Sequence, residues 1–324
     1  MSNSAHSKRR TGRSRKARAG GRRNPPQAAS SSLHTPQADL VDPYWIAGSL
    51  LGVTALAVVC VYVAFSLLFW QGQWQLLLHP SHELPATPAS AGIAYEDLRF
   101  GAAETGILPL DGWWIPAGPT AAYPGVTILV CRDGTGSLSS FVPQLPALHS
   151  LGPNIFVFDY RGFGRSAALH PSEKSMTQDA EAAWSYLRVS RRIAPQSIVV
   201  YGDRLGSALA AGLAGRHPEA SALILQDPQP TGLQQIEGDP RSRWLPVRLL
   251  LRERFDPTRA LATTGVPKLL LGANAPPLYF DAAAQPKREA ILHRKPLQLD
   301  PRYSPALLAF LEQVLPSPPR TAIP

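Results

Sequence analysis

The longest apolar run of the chain extends from Tyr44 to Trp70 and holds 27 residues without a charge. A helix needs about 20 such residues to cross the hydrocarbon of a bilayer. Aromatic residues lie near both ends, with Trp45 at the start and Trp74 just past the end, as is common at lipid–water interfaces. The apolar region of a cleavable signal peptide is shorter, about 7–15 residues. The pattern therefore predicts one uncleaved transmembrane helix over residues 44–70.

The segments on either side of this run differ from it in composition. Residues 1–43 are rich in Ser, Arg, Gly, Pro and Gln, which predicts a disordered basic tail. Prolines within residues 71–91 favour an extended juxtamembrane linker. His79 and His82 lie in that linker without a third nearby ligand, so we predict no metal site. Residues 317–324 are interpreted as a C-terminal tail.

From residue 92 onward, short β-branched and aromatic runs alternate with helical patterns. This alternation is typical of an α/β domain with a mostly parallel sheet, and we place the domain at residues 92–316. The predicted strands cover residues 95–100, 112–116, 126–131, 154–160, 197–201, 222–226, 268–271 and 289–292. The predicted helices include residues 177–189, 205–215, 244–251 and 305–315. In the first of these helices, one apolar stripe at helical spacing should face the sheet: Ala180, Ala183, Trp184 and Leu187.

The net charge of +9 is confined to the N-terminal tail. Nine Lys or Arg residues lie between Lys8 and Arg23, and the remaining 23 basic residues equal the 23 acidic ones. The globular part thus has no excess of basic residues, and no nucleic-acid partner is expected. Because residues 24–98 contain no Lys or Arg, the charge asymmetry places the N-terminus in the cytoplasm. Arg far outnumbers Lys, which suits a GC-rich bacterial genome. A bacterial source and a cytoplasmic N-terminus together predict a single-pass inner-membrane protein whose globular domain is periplasmic.

A tight turn between a predicted strand and a predicted helix carries the main chemical signal. Its sequence is Gly202-Asp203-Arg204-Leu205-Gly206. Glycines two residues before and after the centre relieve crowding around a strained central residue, as in the nucleophile elbow of serine hydrolases. The centre of an elbow is normally Ser, whereas Arg stays protonated up to about pH 12 and has no lone pair for an acyl carbon. The turn therefore has the frame of an elbow without its nucleophile.

The order of elements, the elbow and two further motifs resemble the α/β-hydrolase superfamily. These motifs are Phe158-Asp-Tyr-Arg-Gly-Phe-Gly-Arg-Ser166 and Asp179-Ala-Glu-Ala-Ala-Trp-Ser-Tyr-Leu187. The chain is most similar to a bacterial, single-pass, membrane-anchored branch of serine-hydrolase-like proteins. The resemblance extends from about Phe69 to about Leu315 and implies an α/β-hydrolase fold without a cofactor.

Four positions depart from what the resemblance implies. The family's nucleophilic Ser corresponds to Arg204, and the His-Gly pair before the oxyanion-hole amide corresponds to Arg132-Asp133. The triad acid corresponds to Pro276, and the triad His corresponds to Leu297. By this alignment the catalytic triad is degenerate, and we predict no catalytic residue at these positions.

Other residues of the chain could in principle replace the lost ones. Ser207 could act as nucleophile, His293 as base, and Asp227 or Asp281 as acid. All three roles must be filled at once for hydrolysis. A helix-interior Ser is also expected to pack inward or to bond to its own helix.

Arg132 and Arg204 are expected at the mouth of the former active site, together with Asp133 and Asp203. These four residues define a candidate ligand site, for which two interpretations remain open. In the first, Arg204 pairs with Asp133 and Arg132 pairs with Asp203, which fills the former pocket with a neutral network. In the second, one Arg stays unpaired and binds an anionic group through its planar guanidinium. Neither interpretation requires turnover.

The sequence therefore predicts a membrane-anchored α/β-hydrolase-fold protein that is catalytically inactive and acts as a binding or scaffold module. The alternative is an active ester or peptide hydrolase with relocated catalytic residues. In a third hypothesis, the basic tail tethers the protein to nucleic acid or lipid. Expected partners are the lipid bilayer and an unknown protein or anionic small molecule.

Overall fold

The computed structural model of the chain describes residues 42–101 and 105–315. Contacts divide the chain into two units, with the boundary between Ala55 and Leu56. The predicted tail at residues 1–43 lies outside the described residues as far as residue 41, and the predicted tail at 317–324 lies outside them entirely.

The apolar run forms one helix, α1 (Pro43–Gly72), whose side chains are exposed along nearly its whole length. Its first turn is capped by the carboxylate of Asp42, which accepts the N–H of Tyr44 at 2.9 Å. A helix that is apolar all round needs an apolar environment. Helix α1 is long and apolar enough to cross a membrane, as the sequence predicted.

Residues 73–91, the greater part of the predicted linker, are more closely packed than their prolines suggest. A 3₁₀ turn at Gln73–Leu76 follows α1, and Leu77 and Leu78 are buried in the core of the second unit. His79–Pro80 then pairs in parallel with Thr135–Gly136. Two adjacent leucines bury enough apolar surface to hold this segment against the domain.

The second unit contains an eight-stranded sheet. Its strands are β1 (Glu96–Phe100), β2 (Leu110–Ile115), β3 (Thr127–Cys131), β4 (Asn154–Phe158), β5 (Ile198–Asp203), β6 (Ala222–Gln226), β7 (Lys268–Ala273) and β8 (Lys287–Leu292). Across the sheet they follow the order β8-β7-β6-β5-β3-β4-β2-β1. Strand β2 is antiparallel to both of its neighbours, and the other pairs are parallel, so the predicted α/β fold is confirmed.

Helices cover both faces of the sheet and bury one apolar core on each. They are α2 (Leu145–His149), α3 (Glu173–Ser185), α4 (Gly206–Arg216), α5 (Gly232–Glu237), α6 (Val247–Leu250), α7 (Thr258–Thr263) and α8 (Tyr303–Val314). Helix α3 begins earlier than predicted because Ser172 and Ser175 form a reciprocal capping box. Its predicted apolar stripe is buried. The carboxyl ends of β3, β5, β6, β7 and β8 lie at one edge of the sheet, where the elbow is found.

Candidate functional site

The elbow joins β5 to α4 through Arg204, whose φ of +51° is strained for a residue with a side chain. Both flanking residues must be glycine, because neighbouring atoms lie where a Cβ atom would be. A Cβ on Gly202 would lie 2.6 Å from the Cα of Ser207, and one on Gly206 would lie 2.1 Å from the carbonyl oxygen of Cys131. The backbone of a nucleophile elbow is therefore present, with a guanidinium at its apex.

The side chain of Arg204 lies over the carboxyl edge of the sheet, with 46% of it exposed. Its Nε donates to Asp133 Oδ2 at 3.0 Å, so the predicted pair between Arg204 and Asp133 is confirmed. Its Nη1 lies 3.7 Å from Asp227 Oδ2. The apex cation thus lies between two carboxylates.

The second carboxylate oxygen of Asp133 faces backbone donors. Asp133 Oδ1 accepts the N–H of Gly134 at 2.8 Å and lies 3.4 Å from the N–H of Leu205, a long hydrogen bond. In serine α/β hydrolases the oxyanion hole is formed by the N–H after the nucleophile and an N–H from the loop after β3. Leu205 follows the apex residue and Gly134 lies in that loop, so a carboxylate of the chain itself faces the two N–H groups that correspond to those donors.

The two other positions predicted to correspond to the triad, Pro276 and Leu297, carry no ionisable side chain. Pro276 is exposed in the loop after β7, and Leu297 is buried in the core. Instead Lys295, in the connection after β8, places its Nζ 2.9 Å from Asp227 Oδ2. Sequence reasoning missed Lys295, although it lies only two positions before Leu297, the residue that corresponds to the triad His.

Together Asp133, Arg204, Asp227 and Lys295 form a chain of alternating charges, which we call the elbow ion chain. Its three contacts measure 3.0, 3.7 and 2.9 Å. Two cations face two carboxylates, so the chain is neutral when all four groups are ionised. It lies at the carboxyl edge of the sheet, around the apex of the elbow.

Arg132 does not lie at the mouth of the site, and its predicted pair with Asp203 is wrong. The side chain is 1% exposed, with Nη2 at 2.5 Å from Asp159 Oδ1 and Nη1 donating to the carbonyl of Thr135 at 2.7 Å. Its guanidinium carbon lies 4.9 Å from the ring centroid of Phe163. The Phe163 ring belongs to the core on one face of the sheet. Asp203, the last residue of β5, lies two positions after Tyr201 and so shares its face, and Tyr201 packs in the core on the other side of the sheet.

Asp203 is buried beside the elbow, where Gln226 Nε2 donates to its Oδ1 at 3.1 Å. Burial, together with the charges of Asp133 and Asp227, raises the pKa of Asp203 to about 7, and Arg204 opposes the shift. Gln226 in turn accepts from the hydroxyl of Tyr201. Asp203 is therefore part of a buried polar network and is not available as a surface ligand.

The proposed replacement residues lie apart in the described hydrogen-bond network. Ser207 is buried in α4, and its Oγ donates to the carbonyl of Gly202 at 3.2 Å. His293 is exposed, with its backbone N–H donating to Asp300 Oδ2 at 2.6 Å, and Asp281 is exposed. Within residues 42–101 and 105–315, no hydrogen bond joins the side chains of Ser207 and His293 to each other or to an acid.

Cys131 and His82 are two further side chains whose types could carry chemistry. Burial raises the pKa of the Cys131 thiol to about 12, which keeps it protonated and unreactive near neutral pH. His82 Nδ1 lies 3.0 Å from the carbonyl of Gly164, a protein hydrogen bond. The described part of the chain holds no cluster of three or more metal-ligating side chains.

Comparison with known proteins agrees with the fold. The family described as alpha/beta hydrolase fold matches residues 126–284. The chain is 31% identical over 260 residues to Rv2307c, an uncharacterized protein of Mycobacterium tuberculosis, covering 76% of this chain and 90% of that protein. It is 37% identical over 124 residues to the human alpha/beta hydrolase domain-containing protein 17B, covering 37% of this chain and 41% of that one.

Among solved structures, the esterase Pf2001 of Pyrococcus furiosus superposes with a TM-score of 0.58 at 16% identity, covering 74% of this chain and 98% of the esterase. At that identity the likeness supports the fold alone. The strand order, the elbow backbone and the sequence relatives lead to one assignment: the chain belongs to the α/β-hydrolase superfamily.

Proposed function

We propose that this protein is a membrane-anchored α/β-hydrolase-fold protein that does not hydrolyse esters, and that its elbow serves as a binding site for an anionic group. Helix α1 would provide the anchor in a bacterial inner membrane, with the N-terminus in the cytoplasm and the domain in the periplasm. The proposal depends mainly on the position of the Asp133 carboxylate.

Hydrolysis of an ester requires the N–H donors of the oxyanion hole to stabilise a developing negative charge. Loss of one such donor lowers kcat by about 10²–10³. Here the carboxylate of Asp133 already accepts from Gly134 and lies near the Leu205 N–H, so it would repel the oxyanion as well as block it. The apex residue Arg204 supplies no nucleophile. Both defects act on the same step, which supports a domain without turnover.

The same arrangement suits reversible binding of a carboxylate or phosphate. If an anionic ligand displaced the Asp133 side chain, it would meet the backbone N–H of Gly134 after β3, the N–H of Leu205 at the start of α4 and the guanidinium of Arg204. Arg204 is 46% exposed, so a ligand can reach it from solvent. The internal carboxylate would then compete with the ligand for the site.

The catalytic part of the proposal is tested by reaction of the full chain in detergent with a fluorophosphonate probe and with p-nitrophenyl esters. We expect neither labelling nor hydrolysis. Restoring the nucleophile with Arg204→Ser should leave the chain unlabelled, because Asp133 still accepts from the donors of the oxyanion hole and, among the described residues, no His side chain bonds to the elbow ion chain. An active Arg204→Ser variant would show that the oxyanion position is accessible after all.

The alternative, an active hydrolase with relocated residues, predicts labelling of the unmodified chain that disappears in Ser207→Ala or His293→Ala. Identification of the modified residue by mass spectrometry would then overturn the proposal. Removal of residues 8–23 tests the tether hypothesis, which predicts that binding to nucleic acid or lipid is lost while the domain stays folded. Reporter fusions at the two termini test the proposed topology.

A further inference from the structure

The most exposed large apolar side chains outside helix α1, among the described residues, are Trp244 at 81% and Leu249 at 84% exposure. Both lie in residues 241–254, which we call the interfacial segment. When a Trp and a Leu are this exposed, their apolar surface lies in water, which costs free energy unless another apolar surface covers them. The elbow site does not include these side chains.

The interfacial segment is held against the end of helix α1. Gln73, 2% exposed, donates through Nε2 to the carbonyl of Leu250 at 3.2 Å and accepts the N–H of Arg252 at 2.6 Å. The guanidinium of Arg252 lies 4.7 Å from the ring centroid of Trp70. A cleft is also shared by Leu68 and Phe69 of α1 with Arg241 and Ser242 of the segment. The segment is thus fixed at the level where the apolar helix ends.

The charges of the interfacial segment are strongly one-sided. It contains five arginines and a single acid, Glu253. Two of the arginines form ion pairs with preceding acids, Arg241 with Asp239 and Arg248 with Glu237. In the described part of the chain, no ion pair involves the others: Arg243, Arg252 and Arg254.

Exposed Trp and Leu side chains in an arginine-rich segment match the interface of an anionic bilayer. Trp is enriched at the level of lipid headgroups, Leu gains free energy from the acyl boundary, and arginines bind phosphate oxygens. A protein partner would also cover Trp244 and Leu249. Continuity with the apolar helix through Trp70, and the excess of unpaired arginines, favour lipid.

We propose that the interfacial segment is a second membrane contact, in which Trp244 and Leu249 insert into the bilayer crossed by α1 while the surrounding arginines bind anionic headgroups. The inference rests on the proposed function in one respect, namely that α1 crosses a membrane. It predicts that the two side chains reach about 5–10 Å into the boundary between headgroups and acyl chains. The domain would then be held against the bilayer at two places.

The test uses the full chain, one copy per nanodisc, with the environment-sensitive fluorophore NBD attached to single cysteines. Cys60 is replaced by Ser for this purpose, and the buried Cys131 does not react with the label. Probes at Trp244→Cys and Leu249→Cys are compared with a probe at Val189→Cys, an exposed apolar position, 67% exposed, outside the segment. Brominated lipids report contact with acyl chains.

In discs containing phosphatidylglycerol, we expect blue-shifted emission and strong quenching at positions 244 and 249 but not at 189. Discs of phosphatidylcholine alone, or the added substitution Arg243→Glu, should reduce quenching at position 249. Emission at 244 and 249 that matches position 189 would overturn the inference. Blue-shifted emission without quenching by brominated lipid would also overturn it, since protein rather than lipid would then cover the segment.

A label on the native Cys60, within α1, separates this result from the anchor itself. If Cys60 is quenched while positions 244 and 249 are not, the second contact is refuted and the anchor is supported. If Cys60 is not quenched either, both the anchor and the inference fail. Because none of these readouts involves the elbow, they do not depend on whether the domain hydrolyses esters.

Discussion

Arg132 and Arg204 were expected to share one role at the mouth of a former active site, yet they lie in opposite environments. Arg132 is 1% exposed and pairs with Asp159, which is also fully buried. Arg204 is 46% exposed and lies between Asp133 and Asp227. Each follows a parallel strand of the same sheet, and each contacts a carboxylate within 3.0 Å.

The difference shows that burial, rather than contact distance, decides what an ion pair does. Water screens an exposed pair, so it contributes about 0–1 kcal/mol to stability and can exchange partners readily. Two buried charges have lost their hydration, so each depends on the other for electrostatic stabilisation. We infer that Arg132 is structural and that Arg204 is the arginine able to exchange its partner for a ligand.

The largest effect is expected from Arg132→Met. It leaves Asp159 buried without its counter-charge, and burial already raises the pKa of that carboxyl. Breaking a buried pair from one side typically costs about 3–5 kcal/mol. We expect a loss of that size in the free energy of unfolding, measured by urea titration of the full chain in detergent.

A second substitution distinguishes loss of the pair from loss of packing. Asp159→Asn removes the unpaired charge and keeps an acceptor for the N–H of Leu138, which donates to Asp159 Oδ2 at 3.2 Å. The double variant Arg132→Met/Asp159→Asn should therefore recover part of the lost stability. If it is no more stable than Arg132→Met alone, the cost lies in the cavity and in the lost contact with Phe163.

An intermediate effect that depends on pH is expected at Asp203. Its pKa is about 7 in the folded protein and its ordinary value is 3.8. Between these values the folded state binds more protons than the unfolded state, so the free energy of unfolding falls as pH rises from about 4 to 7. The slope from one group is at most about 1.4 kcal/mol per pH unit.

The variant Asp203→Asn keeps an acceptor for Gln226 and removes this titration. We expect it to gain stability relative to the unmodified chain at pH 7 and to show a shallower decline between pH 5 and pH 7. Asp179, whose pKa burial raises to about 6, contributes a decline of the same sign, so the slope should shrink without vanishing. An unchanged slope would mean that Asp203 titrates well below pH 5.

The fold was largely predictable because buried parallel strands appear as short apolar runs, as in Thr127–Cys131. The pair between Arg204 and Asp133 was predictable because the loop after β3 faces the elbow. The partner of Arg132 was not predictable from the sequence. Carboxylates lie at the ends of both strands beside β3, Asp159 after β4 and Asp203 in β5, and the sequence does not show toward which of them the Arg132 side chain turns.

Two other features lay beyond the sequence for similar reasons. The role of Lys295 depends on the path of the loop after β8, in which Asp300 Oδ2 accepts the N–H groups of His293 and Arg294. The apolar residues 244–251 predicted a helix, yet only Val247–Leu250 is helical, and Trp244 remains exposed. In both places, the path of the backbone rather than the apolar pattern decides which side chains face solvent.

The smallest effect on stability is expected from Arg204→Met, and it tests the proposed role of the elbow most directly. We expect a loss of at most about 1 kcal/mol, because the pair with Asp133 is partly exposed. Arg216→Met is the matched control, since Arg216 Nε also bonds a carboxylate, Glu181, at 2.9 Å and is 42% exposed. Inorganic phosphate should raise the unfolding temperature of the unmodified chain and of Arg216→Met but not of Arg204→Met. Equal protection of all three would mean that phosphate binds elsewhere, and the elbow would then be a closed ion network with no anion site.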